Sequence, residues 1–218
     1  MNSYKITDLM FVATMVSLMF GCQLAKDDEL PAYQIMKAFS GPENTFPETL
    51  DQTYLFARSD KTEPRFGLIS FEVNSPLWTD GAKKKRWIFI PPDEQVTLDP
   101  ATGKDLVYPV GTLLVKHFST ESGEPVETRV YAKKADLRWY FGTYLWEQGK
   151  DAPAVLSRNP RTVEKEGTQY RIPSEKECQM CHNIQFKPEP VLGFAGSQLN
   201  GHGGETSKNL LELKKSGL

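Results

Sequence analysis

Cysteine and histidine are both scarce in this chain of 218 residues: three cysteines (Cys22, Cys178, Cys181) and three histidines (His117, His182, His202). So few cysteines exclude a multi-disulfide scaffold, and no second cysteine pair is present to close a structural zinc site. Neither sign of charge is in excess, since 26 basic and 28 acidic side chains leave a formal −2. No overall field therefore draws the chain to nucleic acid or to anionic lipid, and nucleic acid is excluded as an expected partner. Internal repeats and low-complexity tracts are lacking, as is any apolar run of the roughly 20 residues that a membrane-spanning helix needs. What is there, 39% hydrophobic and 11% aromatic residues, is enough for one sizeable domain, or for one domain with a small appendage.

The longest apolar stretch, Leu9 to Gly21, follows Lys5 and has the shape of an export signal. Its end, Leu18-Met19-Phe20-Gly21-Cys22, resembles a bacterial lipoprotein signal, in which Cys22 becomes the lipidated N-terminus. Met19, Phe20 and Asp8 depart from that pattern, and ordinary cleavage nearby or an uncleaved anchor are the alternatives. Gln23 stands where an aspartate would retain a lipoprotein in the inner membrane, so the resemblance implies an outer-membrane anchor facing the periplasm. Contact with a membrane is expected only through that lipid or the signal segment.

Residues 1–22 thus read as a signal peptide and residues 23–65 as a polar tether, broken by Pro31, Gly41, Pro42 and Pro47, with one short helix from Pro31 to Phe39. Over 66–150 short apolar or alternating runs are separated by turn residues, the pattern of β-strands. The spacing predicts strands at Phe66–Val73, Arg86–Ile90, Leu106–Tyr108, Thr112–Phe118, Val126–Lys133 and Arg138–Trp146, with turns at Asp80-Gly81, Pro91-Pro92, Thr102-Gly103 and Ser122-Gly123. Beyond Trp146 the chain is polar and irregular, with helices expected from Ser174 and over Ser207–Lys215. The fold class is α+β: an antiparallel β-sandwich-like domain followed by a short helical haem-binding segment over 151–218.

The chemistry sits in Cys178-Gln179-Met180-Cys181-His182, the C-x-x-C-H spacing of haem c attachment. Two thiols at this spacing reach the two vinyl groups of one haem, and the next residue presents an imidazole to the iron. Ser174 and Glu177 form an S-x-x-E capping box that starts a helix just before the motif. On that helix Cys178, Cys181 and His182 share one face, so one macrocycle can meet all three. A disulfide between the two cysteines would close too small a loop to stabilise much. A thiol–disulfide enzyme would set its C-x-x-C beside a βαβ unit, and none precedes Cys178. The cofactor expected is one covalent haem c.

For the far side of the iron the candidates are His117, His202 and Met36, in that order, or an open site. His117 shares a strand face with Leu113 and Val115 and points inward, where a hydrogen-bonded core histidine is the alternative. His202 lies between Gly201 and Gly203. Glu127 and Arg129 fall on one strand face and read as an ion pair, with Arg129 also a candidate partner for a haem propionate. The run Lys83-Lys84-Lys85-Arg86 reads as a solvated face or as steering for an acidic redox partner. Trp78, Trp87, Trp139, Tyr144 and Trp146 read as core, with Trp146 a candidate to lie against the haem.

From Phe66 onward the wording of the chain resembles a family of bacterial haem c proteins often described as dihaem cytochromes, some of them linked to quinoprotein sugar dehydrogenase-like domains. The resemblance rests on Ser75-Pro76-Leu77-Trp78-Thr79-Asp80-Gly81-Ala82, Pro109-Val110-Gly111-Thr112, Lys116-His117-Phe118, Glu127-Thr128-Arg129, Tyr144-Leu145-Trp146, Ile172-Pro173-Ser174, Leu192-Gly193-Phe194 and Gln198-Leu199-Asn200 around the haem motif. Dihaem members have a second haem-binding segment, whereas this chain has one C-x-x-C-H, the pattern of a monohaem version or of a truncated product. The expected function is electron transfer in a periplasmic redox chain, with a redox protein such as a periplasmic dehydrogenase as partner. Two alternatives stay open: a peroxidase-like haem enzyme with an open distal site, and a structural or sugar-binding β-sandwich.

Overall fold

A computed structural model of the chain describes residues 31–42, 45–57, 62–65, 67–102, 105–182, 189, 191 and 193–199. Its centre is a six-stranded antiparallel sheet in the order β1-β2-β5-β6-β7-β8. These strands are β1 (Leu68–Ser70), β2 (Lys83–Phe89), β5 (Leu113–Ser119), β6 (Pro125–Lys133), β7 (Trp139–Leu145) and β8 (Val155–Ser157). Two small antiparallel pairs flank it, β3 (Thr97–Leu98) with β4 (Leu106–Val107), and β9 (Arg161–Lys165) with β10 (Thr168–Ile172). The protein is therefore mostly antiparallel sheet with few helices, consistent with a β-sandwich-like domain.

β-Branched and aromatic residues fill the central strands, and both faces of the sheet are buried, so β5 reads Leu113-Leu114-Val115 without polar alternation. Register then sorts the side chains. Trp87, Val115 and Val130 align on one face, and Ile88, Leu114, Tyr131 and Phe141 align on the other.

The first face is covered by the segment expected to be a tether. Residues 31–39 are helical (α1). Ile35 and Phe39, one turn apart, pack with Phe46, Leu50, Leu55 and Phe56 against Trp87, Val115 and Val130. Lys134 pins this cover by donating hydrogen bonds from Nζ to the carbonyl oxygens of Phe39, Gly41 and Thr45. Gly142 lets it approach, since a Cβ there would stand 2.7 Å from the Phe46 ring. The tether reading of 23–65 thus fails over 31–57: the six large apolar residues of this segment have no period to read, yet they dock on a sheet face that is otherwise bare.

The second face receives helix α2 (Glu175–His182) and the short helix α3 (Gly196–Leu199). Cys178, Val191, Phe194 and Leu199 pack there with Ile88, Leu114, Tyr131 and Phe141. Past Trp146 the chain is more regular than expected. β8 completes the sheet beyond residue 150, and β9 and β10 form a hairpin through Glu166 and Gly167, both at positive φ. The helix expected over 207–215 lies outside the described residues.

Candidate functional site

α2 begins as the capping box implies. Ser174 Oγ accepts the Glu177 N–H at 3.3 Å, while a Glu177 carboxylate oxygen accepts the Ser174 N–H at 2.8 Å. These bonds hold the Glu177 carboxyl below its ordinary range. Cys178 and His182, one turn apart, both turn to the sheet and are 5% and 6% exposed, while Met180 on the outer side is 79% exposed. The His182 ring lies 4.9 Å from the Tyr131 ring and 5.2 Å from the Phe141 ring, centroid to centroid. Cys181 belongs to the same helix. Cys22 and His202 lie outside the described residues.

His182 lines a cavity of about 480 Å³ between the sheet, the Val73–Thr79 segment and residues 189, 191 and 193–198. Its floor is apolar and aromatic, with Leu106, Tyr108, Phe118, Tyr131, Val191 and Phe194. Lys133 and Glu189 form a buried ion pair at its side, and Trp139 Nε1 donates to the other Glu189 oxygen, which fastens the chain beyond α2 to the sheet.

Four cations line the same cavity: Lys84, Arg86, Lys116 and Arg129. Arg129 pairs with Glu127, as their shared strand face implied, and the carboxylate outweighs the effect of burial and holds the guanidinium protonated. Burial, aided by Arg129, Arg86 and Lys84, brings Lys116 down to about 7. Burial and Arg86 bring Lys84 to about 8. Among the described residues, the Nε atoms of Arg86 and Arg129 and Oε2 of Glu127 are buried without a hydrogen-bond partner.

The structure does not bring His117 to this site. Its ring lies on the opposite face of the sheet, 5.8 Å from Trp146 and 6.5 Å from Trp87 by centroids, with Nδ1 hydrogen-bonded to Thr128 Oγ1 at 2.8 Å. A strand separates it from His182, so it cannot meet an iron that His182 holds. Strand alternation paired His117 with Leu113 and Val115 as expected, but that face is the one under α1. Trp146 is buried beside His117 and so cannot lie against a haem at His182, and Met36 is on α1, over the same face. Trp78, expected in the core, is 82% exposed at the cavity rim.

Sequence reasoning missed Lys116 and Arg86 as site residues. Lys116 is the neighbour of His117 and by period 2 faces the other way, so the only available signal was a buried lysine position between Val115 and His117. Among the described residues no helix is long and apolar enough to cross a membrane. Comparison with protein-family models, with curated proteins and with solved structures gives no match.

Proposed function

We propose that the protein is an exported c-type cytochrome that carries one haem c, held by thioethers to Cys178 and Cys181 with His182 on the iron, and that it transfers electrons in a periplasmic redox chain. One observation carries the reading: the helix bearing C-x-x-C-H turns Cys178 into the apolar core beneath it and His182 onto a cavity lined by aromatic and cationic side chains. A haem is a flat apolar body with two carboxylates, and these surroundings fit both parts. Arg86 and Arg129, which line the cavity, are cations of the kind a propionate pairs with.

Cys178 and Cys181 would hold the haem through thioether bonds at its two vinyl positions. His182 would be the iron ligand through a ring nitrogen, with its ring packed against those of Tyr131 and Phe141. Val191, Phe194 and Leu106 exclude water. Bound haem would supply one-electron chemistry at the iron, with burial and nearby charge setting the potential. We assign the exposed Lys83 of β2 to the approach of an acidic redox protein such as a periplasmic dehydrogenase, and Cys22 to an outer-membrane lipid anchor.

The test is attachment. Protein matured with haem-attachment machinery should keep its pigment through denaturation and stain for haem on a gel, and Cys178→Ala with Cys181→Ala should abolish the stain. Wild-type protein that loses all pigment on denaturation refutes the covalent link.

A further inference from the structure

Glu189 lies at the centre of a closed set of bonds at one side of the cavity. One of its carboxylate oxygens accepts from Lys133 Nζ and from the Tyr108 N–H at 3.3 Å, and the other accepts from Trp139 Nε1. Lys133 Nζ also donates to the Tyr108 carbonyl oxygen at 2.7 Å. The Tyr108 hydroxyl, which burial and Glu189 hold above its ordinary range, stays protonated and donates to the Phe194 carbonyl oxygen. Tyr108 therefore holds the chain beyond α2 at two points, Glu189 and Phe194. Between those points the Val191 N–H donates to the Glu189 carbonyl oxygen at 2.9 Å, and the Phe194 N–H to that of Val191 at 3.2 Å.

An ion pair is a costly way to fasten this segment. The Lys133 and Glu189 side chains are 7% and 6% exposed, and two charges at that depth gain little net stability over well-packed apolar residues. Apolar packing, however, is non-directional. Val191 and Phe194 share a cluster with Ile88, Leu114, Tyr131 and Phe141, and such contacts do not by themselves select one placement. The carboxylate does select one. Both Glu189 oxygens face donors, so in an isosteric amide the NH2 group would meet an N–H or an ammonium.

We propose that Glu189 is the positioning residue of the cavity: paired with Lys133, it places Val191 and Phe194 as the wall beside His182, and that wall keeps small ligands from the iron. The second half rests on the function proposed above. Tyr131 and Phe141, the rings against which His182 packs, belong to the same cluster as Val191 and Phe194, so a displaced wall opens the surroundings of the histidine itself. An electron carrier needs no open position at its iron, whereas a peroxidase-like enzyme does. Glu189 favours the carrier.

The experiment compares full-length wild type with Glu189→Gln, with Lys133→Met combined with Glu189→Leu, and with Lys134→Met. The double variant leaves no unpaired buried charge, so it serves should Glu189→Gln fail to fold. Lys134→Met removes a buried lysine that pins the cover on the opposite face, and controls for general destabilisation. Each protein is matured with haem-attachment machinery and checked for folding by thermal melting. Two rates are then read: amide hydrogen exchange at Val191 and Phe194, and carbon monoxide binding to the reduced protein. Loss of hydrogen bonds to a charged group should speed exchange at these two amides about tenfold or more in both Glu189 variants, with β5 and β6 unchanged. Carbon monoxide should bind faster by a similar factor, while Lys134→Met should change either rate by less than about twofold. If both Glu189 variants match Lys134→Met in exchange, the positioning role is refuted, with or without haem. If exchange rises but carbon monoxide binds at the wild-type rate, the wall does not guard the iron and the proposal falls. If the wild type carries no haem stain and exchange rises as expected, Glu189 stands as the residue that places the wall, and the function proposed above falls with the iron's part in it.

Discussion

His117, Thr128 and Trp146 close a small polar group inside an apolar layer. Thr128 Oγ1 accepts the Trp146 Nε1–H at 3.0 Å and shares a hydrogen bond with His117 Nδ1 at 2.8 Å. Burial, with Lys85 alongside, lowers the imidazole from 6.5 to about 4, so the folded form is the neutral one. Between those two values the unfolded chain binds a proton that the folded chain does not. The contribution is therefore complete above pH 6.5 and is lost as the pH falls towards 4, a change on the order of 3 kcal/mol. Urea unfolding at pH 7 and pH 4.5 should show this loss in the wild type and a clearly smaller one in His117→Gln, while the visible spectrum of attached haem stays that of the wild type. An equal pH dependence in both proteins would contradict the buried neutral imidazole. His117 also marks what was legible at this scale. Alternation along β5 correctly placed it with Leu113 and Val115, but Leu113-Leu114-Val115 is apolar on both faces, so nothing local tells which face receives α2. The cations of the cavity were illegible for a related reason, since Arg86, Lys116 and Arg129 become neighbours only once the strand register is known.

At the scale of elements, signals written in consecutive residues were readable, and those supplied by a distant partner were not. The strands over β2, β5, β6 and β7 follow from long β-branched and aromatic runs, and α2 from its capping box. β8 has only three residues and is held at the sheet edge by its pairing with β7 and a bridge to Thr49. The β9–β10 hairpin places only Val163, Tyr170 and Ile172 towards apolar partners, too few to show as a period in so polar a segment. The capping box leads to a prediction about α2 itself. Ser174→Ala removes the acceptor for the Glu177 N–H and should cost about 1 kcal/mol, which lowers the melting temperature by roughly 2–4 °C in a chain of this size. Since the helix is only eight residues long, the loss should be concentrated there, seen as faster amide hydrogen exchange over Glu175–His182 with the central strands unaffected. Exchange that speeds up uniformly across the sheet would mean that α2 is not a separately capped unit.

For the whole molecule, the sheet has two apolar faces and therefore needs two covers, and the chain supplies them from its two ends. α2 with Val191, Phe194 and Leu199 covers the face with the cavity, and Ile35, Phe39, Phe46, Leu50, Leu55 and Phe56 cover the other. The first cover carries the C-x-x-C-H motif, while the second has no motif, which is why its sequence reads as a tether. Its contribution can be bounded. Ile35, Phe39, Phe46, Leu50, Leu55 and Phe56 are each at most 7% exposed, and at about 1.5–3 kcal/mol for each buried side chain they contribute on the order of 10 kcal/mol before chain entropy. That is comparable with the whole stability of an ordinary domain, about 5–15 kcal/mol. A chain that starts at residue 66 should therefore fail to fold cooperatively, even with the complete sheet and haem motif: it should bind a hydrophobic dye and show no sharp urea transition. A milder version leaves the chain intact. Gly142→Ala sets a methyl 2.7 Å from the Phe46 ring and should destabilise by roughly 1–3 kcal/mol, with Phe46→Leu restoring part of the loss because the smaller side chain gives way. If the chain from residue 66 unfolds with the wild-type midpoint and slope, residues 31–57 are not part of the core.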